Sequence, residues 1–265
     1  LVTRSTLIEV ATDLVNRSGL IYNQLQDYQV NLNQQLDDQV KAINDIASKI
    51  NSLNRDISKV ESAGIEHAND LRDSRNELLD KLSSYGEIKY EENSKGVVTV
   101  LFEGKSLVTE DEAFKLGTEK ISEDSDLLKV VWASHGNIDA INLSPIPSAI
   151  EGTDVGSLKG ILLARGERTG TYSDLNSPNY SNETSPFTVT NTEALFDNLI
   201  HNITTTINDI LCPNIETTSA ITATDGTVIP AGTTVLDVAN APVGLGEEGK
   251  PGTELFSRDG VDRYT

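Results

Sequence analysis

The chain has 265 residues and carries 41 acidic against 21 basic side chains, a formal net charge of −20. An acidic surface of that size repels nucleic acid and anionic lipid, so neither is expected as a partner. No apolar run approaches the ~20 residues that a membrane-spanning helix needs, and Leu1 to Asp13 lack the basic-then-apolar layout of a signal peptide. One cysteine, Cys212, excludes an intrachain disulfide and a thiolate zinc site. With aromatics at 5%, the core has to be built from Leu, Ile, Val and Ala. The absence of Met, and a helical pattern already running at Leu7, lead to the expectation of a fragment trimmed at its ends.

The first element is the strongest. Apolar or small residues recur at Leu7, Ala11, Leu14, Ser18, Ile21, Leu25, Tyr28, Leu32 and Leu36, in steps of three and four that mark one helix face. From Leu36 the stripe becomes a heptad, with Leu36, Ile43, Ile50 and Ile57 at one seam position and Ile46, Leu53 and Val60 at the other. Asp37, Asp38, Lys41, Asn44, Asp45, Asn51, Arg55 and Lys59 fall between them and are assigned to the solvent face. Gly19 predicts a kink or break, at a cost of roughly 1 kcal/mol against Ala. From Leu20 to Ala63 a continuous helix would run about 66 Å. Gly64 is the expected stop. Asn69 or Asp70 should cap a second helix reaching about Ser84, with Leu71, Leu78, Leu79, Leu82 and Tyr85 as its apolar positions. A short connector makes the pair an antiparallel hairpin.

At Gly86 the period changes to two. Strands are predicted at Ile88–Tyr90, Val97–Phe102, Ser106–Val108, Leu127–Ala133 and Ile138–Leu143, an antiparallel unit closing near Pro145 and Pro147. Helix returns at Ser157–Arg165, followed by a polar loop from Arg168 to Ser185 expected to be mobile. Thr190 and Glu193 read as a capping box ahead of a helix with the stripe Leu195, Leu199, Ile203, Ile207 and Ile210, ended by Pro213. The last fifty residues are β-like, with hairpin signals at Asp225-Gly226 and Ala231-Gly232. The fold class is therefore α+β: an elongated helical bundle with long amphipathic helices and an inserted antiparallel β domain. The expected division is 1-85 helical rod, 86-150 β insertion, 151-212 helices returning to the bundle, and 213-265 β-like segment.

Chemistry is sparse. Gly244-Leu245-Gly246-Glu247-Glu248-Gly249 has dinucleotide-binding spacing, but two glutamates stand where phosphates would sit and Lys250-Pro251-Gly252 follows in place of a helix. His67, His135 and His201 lie on three separate elements without metal-ligand spacing and are assigned to solvated or turn positions. Glu110-Asp111-Glu112 and Glu123-Asp124-Ser125-Asp126 lack the alternating ligands of a calcium loop, and Cys212 before Pro213 reads as a small buried residue. The expectation is no catalytic residue, no metal site and no cofactor.

Several stretches resemble one family. Asn69-Asp70-Leu71-Arg72-Asp73-Ser74-Arg75, with Leu78-Leu79 and Leu82 behind it, is similar to the Asn-Asp-Leu-x-Asp-x-Arg segment of the flagellar hook-associated protein 1 (hook–filament junction) family. Ile46 to Ile57, with Leu53-Asn54 inside it, resembles that family's helical stretch, and Gly104-Lys105-Ser106-Leu107-Val108 its β-domain segment. Gly156-Ser157-Leu158-Lys159-Gly160-Ile161-Leu162 and Leu255-Phe256-Ser257 resemble two later motifs, in the family's order. The resemblance implies a structural subunit, not an enzyme, that self-associates in a ring joining hook to filament. It implies contacts with hook protein, with the next junction protein or flagellin, and with an export chaperone, and export to the flagellum without a cleaved signal. The terminal helices of the family's axial core have no counterpart in the sequence. Rival readings are an extracellular rod-like adhesin or binding module, and a hydrolase hidden in the β segments.

Overall fold

The structure, a computed structural model, describes residues 2–62, 67–143, 156–222, 226–243, 252 and 254–256. Gly64, Pro145, Pro147 and the Gly244–Gly249 motif lie outside the described residues. The chain forms two compact units, a terminal one (Leu1–Tyr22 with Leu195–Thr265) and a central one (Asn23–Ala194). These cut across the four segments expected from sequence, since 1-85 and 151-212 are each shared between both units.

Helix α1 (Val2–Glu61) is 60 residues long and runs without a break through Gly19, where the expected interruption does not occur. One glycine costs roughly 1 kcal/mol, too little to stop a helix with hydrogen-bonded turns on both sides. The heptad reading holds in the central unit: Leu36, Ile43, Ile50 and Ile57 are fully buried, with Val40, Ile46 and Ala47 beside them. Val60, at the end of the second seam position, is exposed.

Helix α2 (Asn69–Ser83) starts where expected but is not capped by Asn69 or Asp70. Its N-cap is Ala68, whose methyl side chain cannot accept a hydrogen bond. The Glu61 carboxylate instead reaches across from α1, accepting from the Ala68 N–H at 3.0 Å and from Arg72 Nε at 2.8 Å. A negative charge at that end also suits the helix dipole. Leu79 and Leu82 are buried and Leu78 packs at the rim of the core.

Two three-stranded antiparallel sheets follow in the central unit. The first orders β1 (Ile88–Glu92), β2 (Val98–Phe102) and β3 (Lys105–Val108); the second orders β4 (Leu116–Lys120), β5 (Leu128–Trp132) and β6 (Ile138–Asp139). Alternation in β2 sends Val98, Val100 and Phe102 inward. Strand β4 was not predicted: Leu-Gly-Thr-Glu-Lys has little β propensity, and it is held by pairing with β5 from Leu116↔Trp132 to Lys120↔Leu128. The strand expected at Ile138–Leu143 shortens to two residues. Inward residues of both sheets share one core with α1, α2 and α3 (Ser157–Arg165), Trp132 and Phe102 being its largest fully buried apolar members.

Helix α3 matches its predicted span, with Leu158, Ile161 and Leu162 buried. Its start docks on the end of α2, the Ser157 and Leu158 N–H groups donating to the Ser84 and Tyr85 carbonyls at 2.9 and 3.1 Å. Gly156 sits at φ 84°, and a Cβ there would collide with the Tyr85 backbone, so only glycine permits the approach. The 168–185 segment holds a short 3₁₀ turn at Tyr172–Asn176 and α4 (Tyr180–Glu183). Arg168 grips Asp174 with both terminal nitrogens, at 2.7 and 2.9 Å.

Helix α5 (Thr188–Leu211) begins before Thr190 and Glu193, so these two do not form the expected capping box. Both are buried inside the helix and face the preceding segment. Thr190 Oγ1 donates to the Arg168 carbonyl at 2.8 Å; Glu193 accepts from the Gly170 N–H at 2.9 Å and from Gln26 Nε2 at 2.6 Å. In the terminal unit, β7 (Asn214–Glu216) pairs with β10 (Thr234–Leu236) and β8 (Ile221–Thr222) with β9 (Val228–Ile229). Gly226 and Gly232 take the positive φ that the hairpin signals required.

Candidate assembly surface

In the terminal unit the helices present apolar side chains to solvent. On α1 these are Leu7, Ile8, Val10, Val15, Leu20 and Ile21; Ala11 is buried and Leu14 half-buried. On α5 the predicted stripe divides: Ile203 and Ile207 are half-buried, whereas Leu195, Leu199 and Ile210 are exposed, Ile210 at 67%. A stripe with helical period normally faces a partner, and its sequence alone cannot say whether that partner belongs to the same chain. Among the described residues of this unit, only Ala11, Cys212, Ile229, Ala241 and Phe256 are buried apolar side chains.

One asparagine ties the end of the described chain to α5. Asn208, buried on α5, accepts from the Leu255 and Phe256 N–H groups, both at 3.0 Å, and donates to the Phe256 carbonyl at 2.8 Å. This pins Phe256 beside a groove of about 210 Å³ lined by Ile8, Ala11, Thr12, Val15 and Asn16 of α1. Two residues of the Leu255-Phe256-Ser257 motif are thereby given a role; Ser257 lies outside the described residues.

The motif residues of the central unit converge on a second buried centre. Arg75 is 1% exposed and donates from Nη1 to Asn54 Oδ1 at 3.0 Å and to the Gly96 carbonyl at 2.6 Å, and from Nη2 to Glu92 at 2.6 Å. Arg72 joins Glu61 to Glu92 at 2.7 and 2.6 Å. Arg72 and the Ala68 N–H hold the Glu61 carboxyl down at about 2, while burial pushes the Arg75 guanidinium down. The Asn69–Arg75 and Leu53-Asn54 motifs are therefore two halves of one network tying α1, α2 and β1 together. Sequence reading recognised both stretches but not that they meet.

Among the described residues the histidines and acidic clusters stay apart. His67 is exposed, 3.9 Å from Glu61. His135 packs its ring against Phe114 and Trp132, at centroid distances of 4.8 and 5.5 Å, and His201 lies exposed on α5. The acidic clusters make ordinary surface contacts, as in Lys95–Glu110 and Lys120–Asp126, both at 2.7 Å. Cys212 is buried. Among the described residues no group of three or more His, Cys, Asp or Glu is placed to hold a metal ion, and no helix is long and apolar enough to cross a membrane.

Buried polar side chains of the central unit bind one another and nearby backbone groups, and apolar side chains of α1 and α5 in the terminal unit lie open to solvent. Those features define an α+β protein built on long amphipathic helices. The chain belongs to the flagellar hook-associated protein FlgK family, whose helical-domain model matches residues 1–217. Flagellar hook-associated protein 1 of Bacillus subtilis (strain 168) is 36% identical over 102 residues, which are 36% of this chain and 20% of that protein. The solved flagellar hook junction protein FlgK from Burkholderia pseudomallei is 25% identical with a TM-score of 0.49, over 65% of this chain and 30% of its own. The chain thus spans less than a third of the relatives it matches.

Proposed function

We propose that the chain is part of a structural subunit of the bacterial flagellum that forms the junction between hook and filament. Family membership supports this, and the observation that carries it is the open apolar stripe of α1 and α5 in the terminal unit, from Leu7 to Ile21 and at Leu195, Leu199 and Ile210. Apolar area removed from water contributes ~25 cal/mol per Å², so such a stripe favours association. On this reading the subunit self-associates in a ring between hook protein on one side and the next junction protein or flagellin on the other. It leaves the cell through flagellar export without a cleaved signal, escorted by a chaperone, and catalyses nothing.

The test is a strain lacking the whole gene. Electron microscopy should show hooks retained and filaments lost, with recovery on complementation. Normal filaments in the deletion strain overturn the reading. A complementing copy bearing Leu195→Asp and Leu199→Asp should be made and exported yet leave the filaments missing, which separates loss of assembly from loss of the protein.

A further inference from the structure

The polar side of α1 does more than meet water. Asn54 Nδ2 donates to the Val98 carbonyl at 2.8 Å and Asn54 Oδ1 accepts from the Val98 N–H at 3.1 Å. Asn44 makes the same pair of bonds to Leu116, both at 2.9 Å. Asn33 accepts from the Leu128 N–H at 2.8 Å and donates to the Asp126 carbonyl at 3.1 Å. A carboxamide offers one donor and one acceptor side by side, as the edge of a neighbouring strand would. Val98, Leu116 and Leu128 are the first residues of β2, β4 and β5. Three strand starts are caught at points about three helical turns apart.

Behind the two outer asparagines stand the buried arginines. Arg75 Nη1 donates to Asn54 Oδ1 at 3.0 Å, and Arg165 Nη1 donates to Asn33 Oδ1 at 2.7 Å and to the Leu128 carbonyl at 2.6 Å. Arg165 is fully buried and burial pushes its guanidinium down to about 10. Its bonds to oxygen are charge-assisted and hence stronger than neutral ones.

The apolar seam cannot supply what these bonds supply. Ile43, Ile50 and Ile57 repeat one side chain at one heptad position, so at that position a slide of seven residues replaces isoleucine with isoleucine. Asn44 stands 11 residues after Asn33 and 10 before Asn54, off that repeat, whereas Asn33 and Asn54 are three heptads apart. The same slide would set Val40, Asn51 and Glu61, or Gln26, Asp37 and Ala47, opposite the Leu128, Leu116 and Val98 amides, so neither direction keeps more than one carboxamide in place. A polar residue in an otherwise repetitive apolar seam is a recognised register device in coiled coils.

We infer that Asn33, Asn44 and Asn54 are positioning residues that fix the axial register of α1 against both sheets, with Arg75 and Arg165 locking the two outer contacts. The inference concerns the central unit alone and does not depend on what the assembled protein joins. It is tested with spin labels at Lys49 on α1 and Lys120 on β4, both exposed, in a chain carrying Cys212→Ser. Double electron–electron resonance should give one narrow distance. In the folded triple variant Asn33→Leu, Asn44→Leu, Asn54→Leu it should broaden or gain a population displaced by up to about 10 Å, the length of seven helical residues. A single unshifted distance in that variant overturns the inference. So does equal broadening in Ile46→Val, which loosens the core and leaves the asparagines intact. If the triple variant does not fold, Asn44→Leu decides by hydrogen exchange. The Leu116 amide should then exchange on the order of tenfold faster while Val98 and Leu128 keep their protection; an unchanged Leu116 rate overturns it.

Discussion

The central and terminal units share two helices, α1 and α5, yet use them in opposite ways. In the central unit Leu36, Ile43, Ile50 and Ile57 of α1 are sealed beneath two sheets. In the terminal unit the same helix shows Leu7, Ile8, Val10, Val15, Leu20 and Ile21 to solvent. Both stretches have helical period and similar composition. The difference is what else each unit contains: two three-stranded sheets with α2 and α3 that share a core with α1 in one, and small two-stranded ribbons with an asparagine pin in the other. A helix stripe therefore records that a partner exists, and the surrounding chain decides whether it is internal.

The contrast is most directly broken at Ile50. Ile50→Asp places an unpaired carboxylate in a dry seam and should lower stability by about 4 kcal/mol or unfold the chain outright, read from circular dichroism melts. An unchanged melting temperature would mean that the seam is wet. Arg75→Ala comes next, at about 3 kcal/mol, because Glu92 and the Gly96 carbonyl lose their buried donor; urea titration should show it without a change in slope.

Acid titration sharpens the same comparison at the α1–α2 join. Glu61 has its folded-state value depressed to about 2 from an ordinary 4.5. The stability it contributes is thus complete above 4.5 and lost as pH falls from there toward 2. Glu61→Gln should flatten that part of the stability–pH curve, and an unaltered acid limb would place the Arg72 contact outside the folding equilibrium. The smallest effect belongs to the terminal unit. Leu199→Asp, on the open face, should change stability by no more than about 0.5 kcal/mol. A loss of several kcal/mol would show that the face is already covered within this chain.

Much of the central unit was legible in the residues. The heptad from Leu36 to Ile57, the return of helix at Ser157–Arg165, and β1, β2, β3 and β5 to within a few residues follow from period and turn chemistry. The errors share a cause. Asn44 and Asn51 were assigned to solvent because a polar residue off the apolar stripe looks the same whether it bonds water or a strand; Asn51 in fact donates to the Thr109 carbonyl at 3.2 Å. Thr190 and Glu193 have capping-box spacing, but their oxygens serve Arg168 and Gly170, which no local window contains. Strand β4 has little propensity of its own and is held by β5 and Asn44.

The sequence by itself determined the long amphipathic helix, the change of period at Gly86 and the α+β class, since these rest on the side-chain repeat and on turn residues, which are local. It also determined the family, because motifs in a fixed order survive without coordinates. Tertiary structure decided where Glu61, Arg75, Arg165, Asn33, Asn44, Asn54 and Glu193 send their hydrogen bonds. It also decided which half of α1 is buried. Those outcomes depend on partners as many as 167 residues away along the chain, and a buried polar group takes whichever partner the fold brings within reach because leaving it unpaired costs ~1–3 kcal/mol.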